Sequence, residues 1–453
     1  MEEYIEKLIS QIRCKKARPY IANEIKDHIE EQIDFNKSNG MTEEEAEKSA
    51  VMDMGDPVEV GISMDKIHRP KISWRILFIV GILSILAIVI QYSILGKVDS
   101  ETQMSETYQL SLSGFVSSVI FGFMIMLAIY FIDFTTIAKY SKLIGSFIIL
   151  SGIMYLAGFF GRTVNGAYYT IDLGMFHFSA TALMMFYIPV YGAILYKYRD
   201  GGKFDFFKAV IWMLIPVFVT FRMPNIVVTG IMLISMNVLL SASLLKGWFK
   251  LPVKRTLVCL WSLFLLLPIG ILYVLYSFHM MAEYQEARIR AFLLADGDGY
   301  YMTSILRAFC DDIPLIGNSG NDVVGSLPNF NSDYIFSYIL NSYGSILAIV
   351  IISILAVFVM LIFGASVKQK NELGMMMGFG CGMIFLLNTL INILGSVGVL
   401  PPAASFLPFF SLGGSNIILC YALVGIVMSI YRYKDVYPTN VADKIIPKIE
   451  LRI

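Results

Sequence analysis

The stretch NSDYIFSYILNSYGSILAIVIISILAVFVMLIF, Asn331 to Phe363, decides the fold. About 20 helical residues cross a hydrocarbon core. Past Asp333 this run stays apolar for longer than that, so it predicts a membrane span over 334–363. Asp333 is its one acid. A carboxylate at the edge of hydrocarbon is costly to desolvate, and a side chain kept there at that cost is a candidate for function.

The rest of the chain reads the same way. Of 453 residues, 57% are hydrophobic and 15% charged, too apolar a balance for a soluble globule, so the expected fold is an all-α, polytopic membrane helix bundle. Further spans are predicted at 76–95, 113–132, 142–160, 176–196, 206–221, 224–245, 255–277, 373–396 and 413–431, about ten with the first. Pro224, in FRMPN, breaks the helix between two of them and predicts a bent or re-entrant pair. Lys139 and Lys142, the group Lys197 to Lys208, the group Lys246 to Arg255, Lys368 and Lys370, and the tail from Arg432 all fall on one side. By the positive-inside rule that side is cytoplasmic, with both termini there. Met1–Pro70 is polar and helical in pattern, so no cleavable signal peptide is expected and the first apolar segment serves as insertion signal. The formal net charge of +0 and the lack of a basic groove interleaved with aromatics argue against nucleic-acid binding. Cys14, Cys259, Cys310, Cys381 and Cys420 form neither a CxxC nor a Cys/His cluster and read as small core residues.

Residues 1–70 form a separate unit. Ile5, Leu8, Ile9 and Ile12, then Ile21, Ile25, Ile29 and Ile33, recur at helical spacing. In GMTEEEAEKSAVMDMGDP, Thr42 and Glu45 are placed for a capping box, and Gly55 before Asp56-Pro57 ends the run. This predicts a small cytoplasmic domain of about three helices. The pattern G-x-T-x-x-E-A…M-G-D-P resembles the HAAS (permease prefix) domain found ahead of membrane segments; the bland alternative is an amphipathic helical cap without a signalling role.

The side opposite the lysines holds an acidic first loop, the 161–175 loop and one long loop over 279–332. A loop of that length is functional or disordered. Arg288, Arg290 and Arg307 can pair with phosphate, while Asp296, Asp298, Asp311, Asp312 and Asp322 can accept protons or bind a divalent cation. Charges that merely keep the loop out of the bilayer are the alternative for most of them. His177 and His279, two lone histidines on this side, read as interfacial residues.

Three blocks carry a resemblance. LPNFNSDYIFSYILNSYGSI (Leu327, Pro328, Asp333, Phe336, Gly344), GVLPPAASFLPFFSLGGSN (Gly398, Leu400, Pro401, Leu407, Pro408, Phe409, Ser411, Gly413, Gly414, Ser415) and VNGAYYTIDLGMFHFSATALM (Gly166, Ala167, Ile171, Leu173, Gly174, Phe176, Phe178) follow, over about 73–435, the pattern of the SEDS family of RodA, FtsW and SpoVE relatives. The chain departs from it where Tyr169-Thr170 replace Arg-Trp, Ser179 to Ala182 replace Gln-Pro-Ser-Glu, Met185 replaces a lysine and Asn341-Ser342 replace Glu-Glu. An ion pair lost together need not destabilise a well-packed bundle.

The resemblance implies a peptidoglycan glycosyltransferase that polymerises lipid II, partnered by a class B penicillin-binding protein; beyond it, residues 436–453 read from the loop charges as a cytoplasmic tail. Asp333 falls on that family's essential aspartate and would be the general base. Arg288 and Arg290 would hold the diphosphate, with Arg162 and Arg307 as weaker candidates. Ser411, Gly413, Gly414 and Ser415 would approach the substrate, the glycines admitting close backbone contact and the helix start offering N–H groups. Two other readings stay open here: Asp333 as a helix N-cap, and the glycines as a tight helix-packing point. No cofactor is implied beyond a divalent cation that the loop acids have room for. A non-catalytic scaffold with a sensing head, or a transporter of lipid-linked precursors, are the alternatives from other classes.

Overall fold

Capping chemistry sets out the head. In the computed structural model, which describes residues 1–95, 103–159, 162–164, 167–173, 176–223, 225–278, 298–401 and 404–438, it comprises α1 (Glu2–Ser10), α2 (Arg18–Ser38), α3 (Glu43–Asp53) and α4 (Pro57–His68). Thr42 and Glu45 close the expected capping box on α3, with the Thr42 N–H donating to Glu45 Oε2 at 3.2 Å. Asp56 caps α4 and Pro57 fills its first turn, where a missing N–H costs nothing. The head therefore has four helices where the hydrophobic pattern suggested about three. Leu8, Ile12, Ile21, Ile25, Ile29 and Ala50 make its core.

The membrane region follows as α5 (Trp74–Leu95), α6 (Gln103–Phe131), α7 (Phe134–Lys139), α8 (Ser141–Leu156), a small antiparallel sheet β1 (Arg162–Val164), β2 (Ala167–Leu173) and β3 (Phe176–Phe178), then α9 (Ala180–Met185), α10 (Tyr187–Tyr196), α11 (Lys203–Phe221), α12 (Ile226–Leu245), α13 (Val253–Ser277), α14 (Asp298–Asp311), α15 (Val323–Ser326), α16 (Ile335–Tyr343), α17 (Ser345–Val367), α18 (Glu372–Ser396) and α19 (Gly414–Arg432). Among the described residues, seven helices are long and apolar enough to cross a membrane: those starting at Trp74, Ser111, Lys203, Ile226, Ser345, Glu372 and Gly414. Ser141–Leu156 and Ala180–Tyr196 are shorter apolar stretches.

Three expectations change in detail. The span read from 176 starts with β3, paired to β2 through Ile171–Phe178 and Leu173–Phe176, and its helix is broken at Phe186. The pair around Pro224 is two separate helices, α11 and α12, each long enough to cross, with Asn225 capping the second by accepting from Val228 N–H at 3.2 Å. The span read over 334–363 is two helices. Gly344 adopts φ 88°, ψ 175°, a backbone state open to glycine alone, and the chain turns there between α16 and α17. A Cβ at Gly344 would stand 2.7 Å from the Leu315 carbonyl oxygen and 2.8 Å from that of Pro314. Those carbonyls also accept from Ile346 and Ser345, while Gly317 and Ser319 donate to Tyr343 and Asn341, so the 314–319 segment staples the corner. Ile335 to Asn341 are all buried, which makes α16 an internal half-helix rather than part of a lipid-facing rod.

The head and the segment after α19 meet on one side of the bundle. Lys16 Nζ donates to Asp133 Oδ2 at 2.6 Å, Lys71 Nζ to Asp435 Oδ2 at 2.7 Å, and Tyr437 Oη also bonds Asp133. Asp133 is nearly sealed, and it also caps α7 by accepting from Thr135 N–H at 2.9 Å.

Candidate functional site

On the side away from the head, the turn before α16 is built by short polar side chains. Asn329 adopts φ 57°, which asparagine tolerates, and its Nδ2 donates to Asp333 Oδ2 at 3.3 Å. The backbone of Ser405 also donates to the Asp333 carboxylate. The start of α16 has Tyr334 at its N-cap with no side-chain cap, so Asp333 is not spent on the helix end. Burial outweighs the two donors and pushes its carboxyl up to about 6.

Asn392, fully buried on α18, ties this turn to the loop that follows the same helix. Its Nδ2 lies 2.8 Å from the Asp333 carbonyl oxygen and 3.3 Å from both the carbonyl oxygen and Oγ of Ser405. Ser411, also buried, accepts from Leu407 N–H at 2.7 Å and donates to the Ser332 carbonyl at 2.6 Å. Leu412 N–H and Gln91 Nε2 both donate to the Asn331 carbonyl, at 2.8 and 3.0 Å. Behind them Phe409, held at φ 69°, is locked among Phe358, Phe385 and Tyr421. A phenylalanine in the left-handed region costs on the order of 1–2 kcal/mol, and that aromatic packing holds it there. The result is a carboxylate carried on a turn whose backbone is held by α5 on one side and by α18 with its following loop on the other.

The other expected residues distribute unevenly. Ser411 acts inside the loop scaffold. Gly414 packs against α6, where an added Cβ would lie 2.7 Å from Ser118 Oγ, and Ser415 Oγ accepts from Ser179 N–H at 2.8 Å. Gly413 has more room: a Cβ added there would meet Asn416 Nδ2 at 3.5 Å, an ordinary contact. Arg288 and Arg290, with Asp296 and His279, lie outside the described residues. Arg162 and His177 fall on β1 and β3. Arg307 is brought to the rim: exposed on α14, it donates through Nε to the Gly398 carbonyl at 3.0 Å, in the loop that also carries Ser405. Asp311, Asp312 and Asp322 join no group of three metal-ligating side chains among the described residues. Asn392 was not anticipated, although Asn388, Asn392 and Ser396 at four-residue spacing mark a polar face on an apolar helix.

The positions where the chain departs from the SEDS pattern can be located too. Ala182 and Met185 are fully buried, and Met185 Sδ accepts from Asn388 Nδ2 at 3.7 Å.

A family model covering FtsW, RodA and SpoVE, described as "Cell cycle protein", matches residues 73–436. Among named relatives, the chain is 27% identical over 304 residues to the "Probable peptidoglycan glycosyltransferase FtsW" of Enterococcus hirae, covering 64% of this chain and 75% of that one. A structure reported as "Structural coordination of polymerization and crosslinking by a peptidoglycan synthase complex" contains a similar chain, with TM-score 0.63, 18% identity and coverage of 80% of this chain and 98% of that one. The rod shape determining protein RodA of Thermus thermophilus is similar with TM-score 0.57 and 16% identity, over 80% of this chain and 97% of that one.

Proposed function

The chain belongs to the FtsW, RodA and SpoVE family of cell cycle proteins, and from that membership we propose that it is a peptidoglycan glycosyltransferase of the bacterial cytoplasmic membrane, polymerising lipid II at the outer face. The observation that carries this reading is the Asp333 carboxylate, held at the mouth of a buried half-helix with its pKa pushed up to about 6, at the position that the resemblance of the 327–344 block suggests for the family's aspartate. A general base works best when its pKa lies near the operating pH.

In the reaction, the acceptor sugar hydroxyl attacks the anomeric carbon of the donor. Asp333 takes the hydroxyl proton as the new C–O bond forms. The bond from the anomeric carbon to the carrier diphosphate breaks, and its electron pair leaves on the diphosphate oxygen. That developing charge needs fixed cations. We assign them to Arg288 and Arg290, with Arg307 at the rim of the Ser405 loop as the described candidate. Asn392 and Ser411 hold the carboxylate in place through the backbone on either side of it. The partner is a class B penicillin-binding protein, and the side bearing the head and the tail is cytoplasmic.

A second reading has one observation in its favour. Ala182 and Met185 fill with apolar volume the positions where the family pattern carries charge, which suits a non-catalytic scaffold. Purified protein given labelled lipid II separates the two. Polymer from wild type and none from Asp333→Ala supports the enzyme. Equal polymer from both, or none from wild type with the transpeptidase partner present, would refute it.

A further inference from the structure

A second charged centre lies on the head side of the bundle, independent of the reading of Asp333. Lys142 stands in the first turn of α8, Lys197 directly follows α10, and Lys208 lies in the second turn of α11. Lys142 Nζ donates to Tyr198 Oη at 2.8 Å and sits 4.5 Å from the centre of that ring and 5.9 Å from that of Trp212. Lys208 pairs with Asp205 at 3.0 Å. Lys197 is only 7% exposed, and its ammonium donates to a neutral acceptor, the Lys139 carbonyl, at 2.7 Å. Lys142 thus lies within electrostatic reach of Lys197 on one side and of the Lys208–Asp205 pair on the other.

Burial of a cation is costly unless an anion compensates it. Burial, together with the charge of Lys142, pushes the Lys197 ammonium down to about 8. Marking the loop as cytoplasmic does not require this, because a topogenic lysine works equally well in water. Lys254 and Arg255, on the same side, are exposed. Below the lysines, Leu143 and Phe147 on α8 and Phe207 and Ile211 on α11 are exposed at four-residue spacing, forming two apolar tracks that lead away from the cluster. Tyr198 and Trp212 are residue types that settle at headgroup level.

We propose that Lys142, Lys197 and Lys208 bind the phosphate of an anionic phospholipid in the adjoining leaflet, its acyl chains lying along the exposed faces of α8 and α11. Phosphate oxygens would accept charge-assisted hydrogen bonds from Lys142 and Lys197, which otherwise donate to the neutral Tyr198 hydroxyl and Lys139 carbonyl, with Lys208 adding its charge alongside.

Reconstitution in phosphatidylcholine with a minor fraction of phosphatidylglycerol, followed by native mass spectrometry, tests this. Wild type should retain at least one more phosphatidylglycerol than K142Q/K197Q, while K254Q/R255Q, which removes as much charge from the exposed pair, should retain as many as wild type. Equal losses from both double variants would overturn the proposal in favour of general surface charge. If K142Q/K197Q fails to insert, K208Q replaces it with the same expectation. Thermal stabilisation of wild type by phosphatidylglycerol over phosphatidylcholine should vanish in the variant. Equal stabilisation by inorganic phosphate in phospholipid-free detergent would overturn the assignment to a lipid.

Discussion

Replacing Asp333 by asparagine should inactivate the protein and at the same time stabilise it. The carboxyl is pushed from its ordinary 3.8 up to about 6 by burial. A raised folded-state value means that the group favours the fold only while protonated: the contribution is full below the unfolded value near 4 and is lost as pH rises through 6. Each unit is worth about 1.4 kcal/mol, so at neutral pH the ionised side chain costs the native state about 3 kcal/mol. Asparagine keeps the shape and an oxygen to accept from Asn329 and Ser405, but never ionises. Thermal unfolding of wild type and Asp333→Asn in the same detergent should show the variant several degrees more stable at about pH 7.5, with the gap closing as pH falls toward about 4. A variant that is no more stable at neutral pH, or whose advantage does not change with pH, would refute the burial of an ionisable carboxylate here.

Three further outcomes follow from the same geometry. Gly344→Ala should cost on the order of 1–3 kcal/mol or more, because φ 88° and the Leu315 and Pro314 carbonyls both exclude a Cβ; a lowered midpoint in detergent, with loosened hydrogen exchange in 314–319, is the readout. Asn392→Leu should reduce polymerisation at least tenfold while the protein still inserts, since it frees the Asp333 and Ser405 carbonyls from one donor; unchanged rates would remove Asn392 from the site. Lys16→Ala should raise hydrogen exchange in α1 and α2 by loosening the head from Asp133, at a cost of about 1 kcal/mol because Lys16 is half exposed; unaltered exchange would mean that other contacts, Lys71–Asp435 and Tyr20–Tyr437 among them, hold the head.

How much of this was legible in the sequence depends on the range of the forces involved. Spans were legible because hydrocarbon thickness imposes a length on an uninterrupted apolar run, and 345–367 carries no charge at all. The Thr42–Glu45 cap was legible because both partners lie within one turn. Asp333 stood out because a lone acid at the edge of an apolar run has few structural excuses. The corner at Gly344 was hidden: the short polar stretch 341–345 lies between two apolar runs that together read as one span, and the staple that turns the chain there comes from 314–319, outside that stretch. Gly414 offered two uses, and only the neighbouring Ser118 on α6 shows that it serves packing. Asn392 sat inside an apolar span whose length drew the reading, while its partners at Asp333 and Ser405 come from segments that only tertiary structure assembles. The fourth head helix was missed although Pro57, directly after a capping aspartate, signals a helix start.

The most direct measurement is the pH dependence of the initial rate at which wild-type protein polymerises labelled lipid II. A base with a pKa of about 6 is mostly idle at about pH 5 and mostly ionised at about pH 7, so the rate should climb about tenfold across that interval and level off above it. A rate that stays flat over the interval, or that has already reached its plateau near pH 5, would contradict Asp333 as the group that takes the proton.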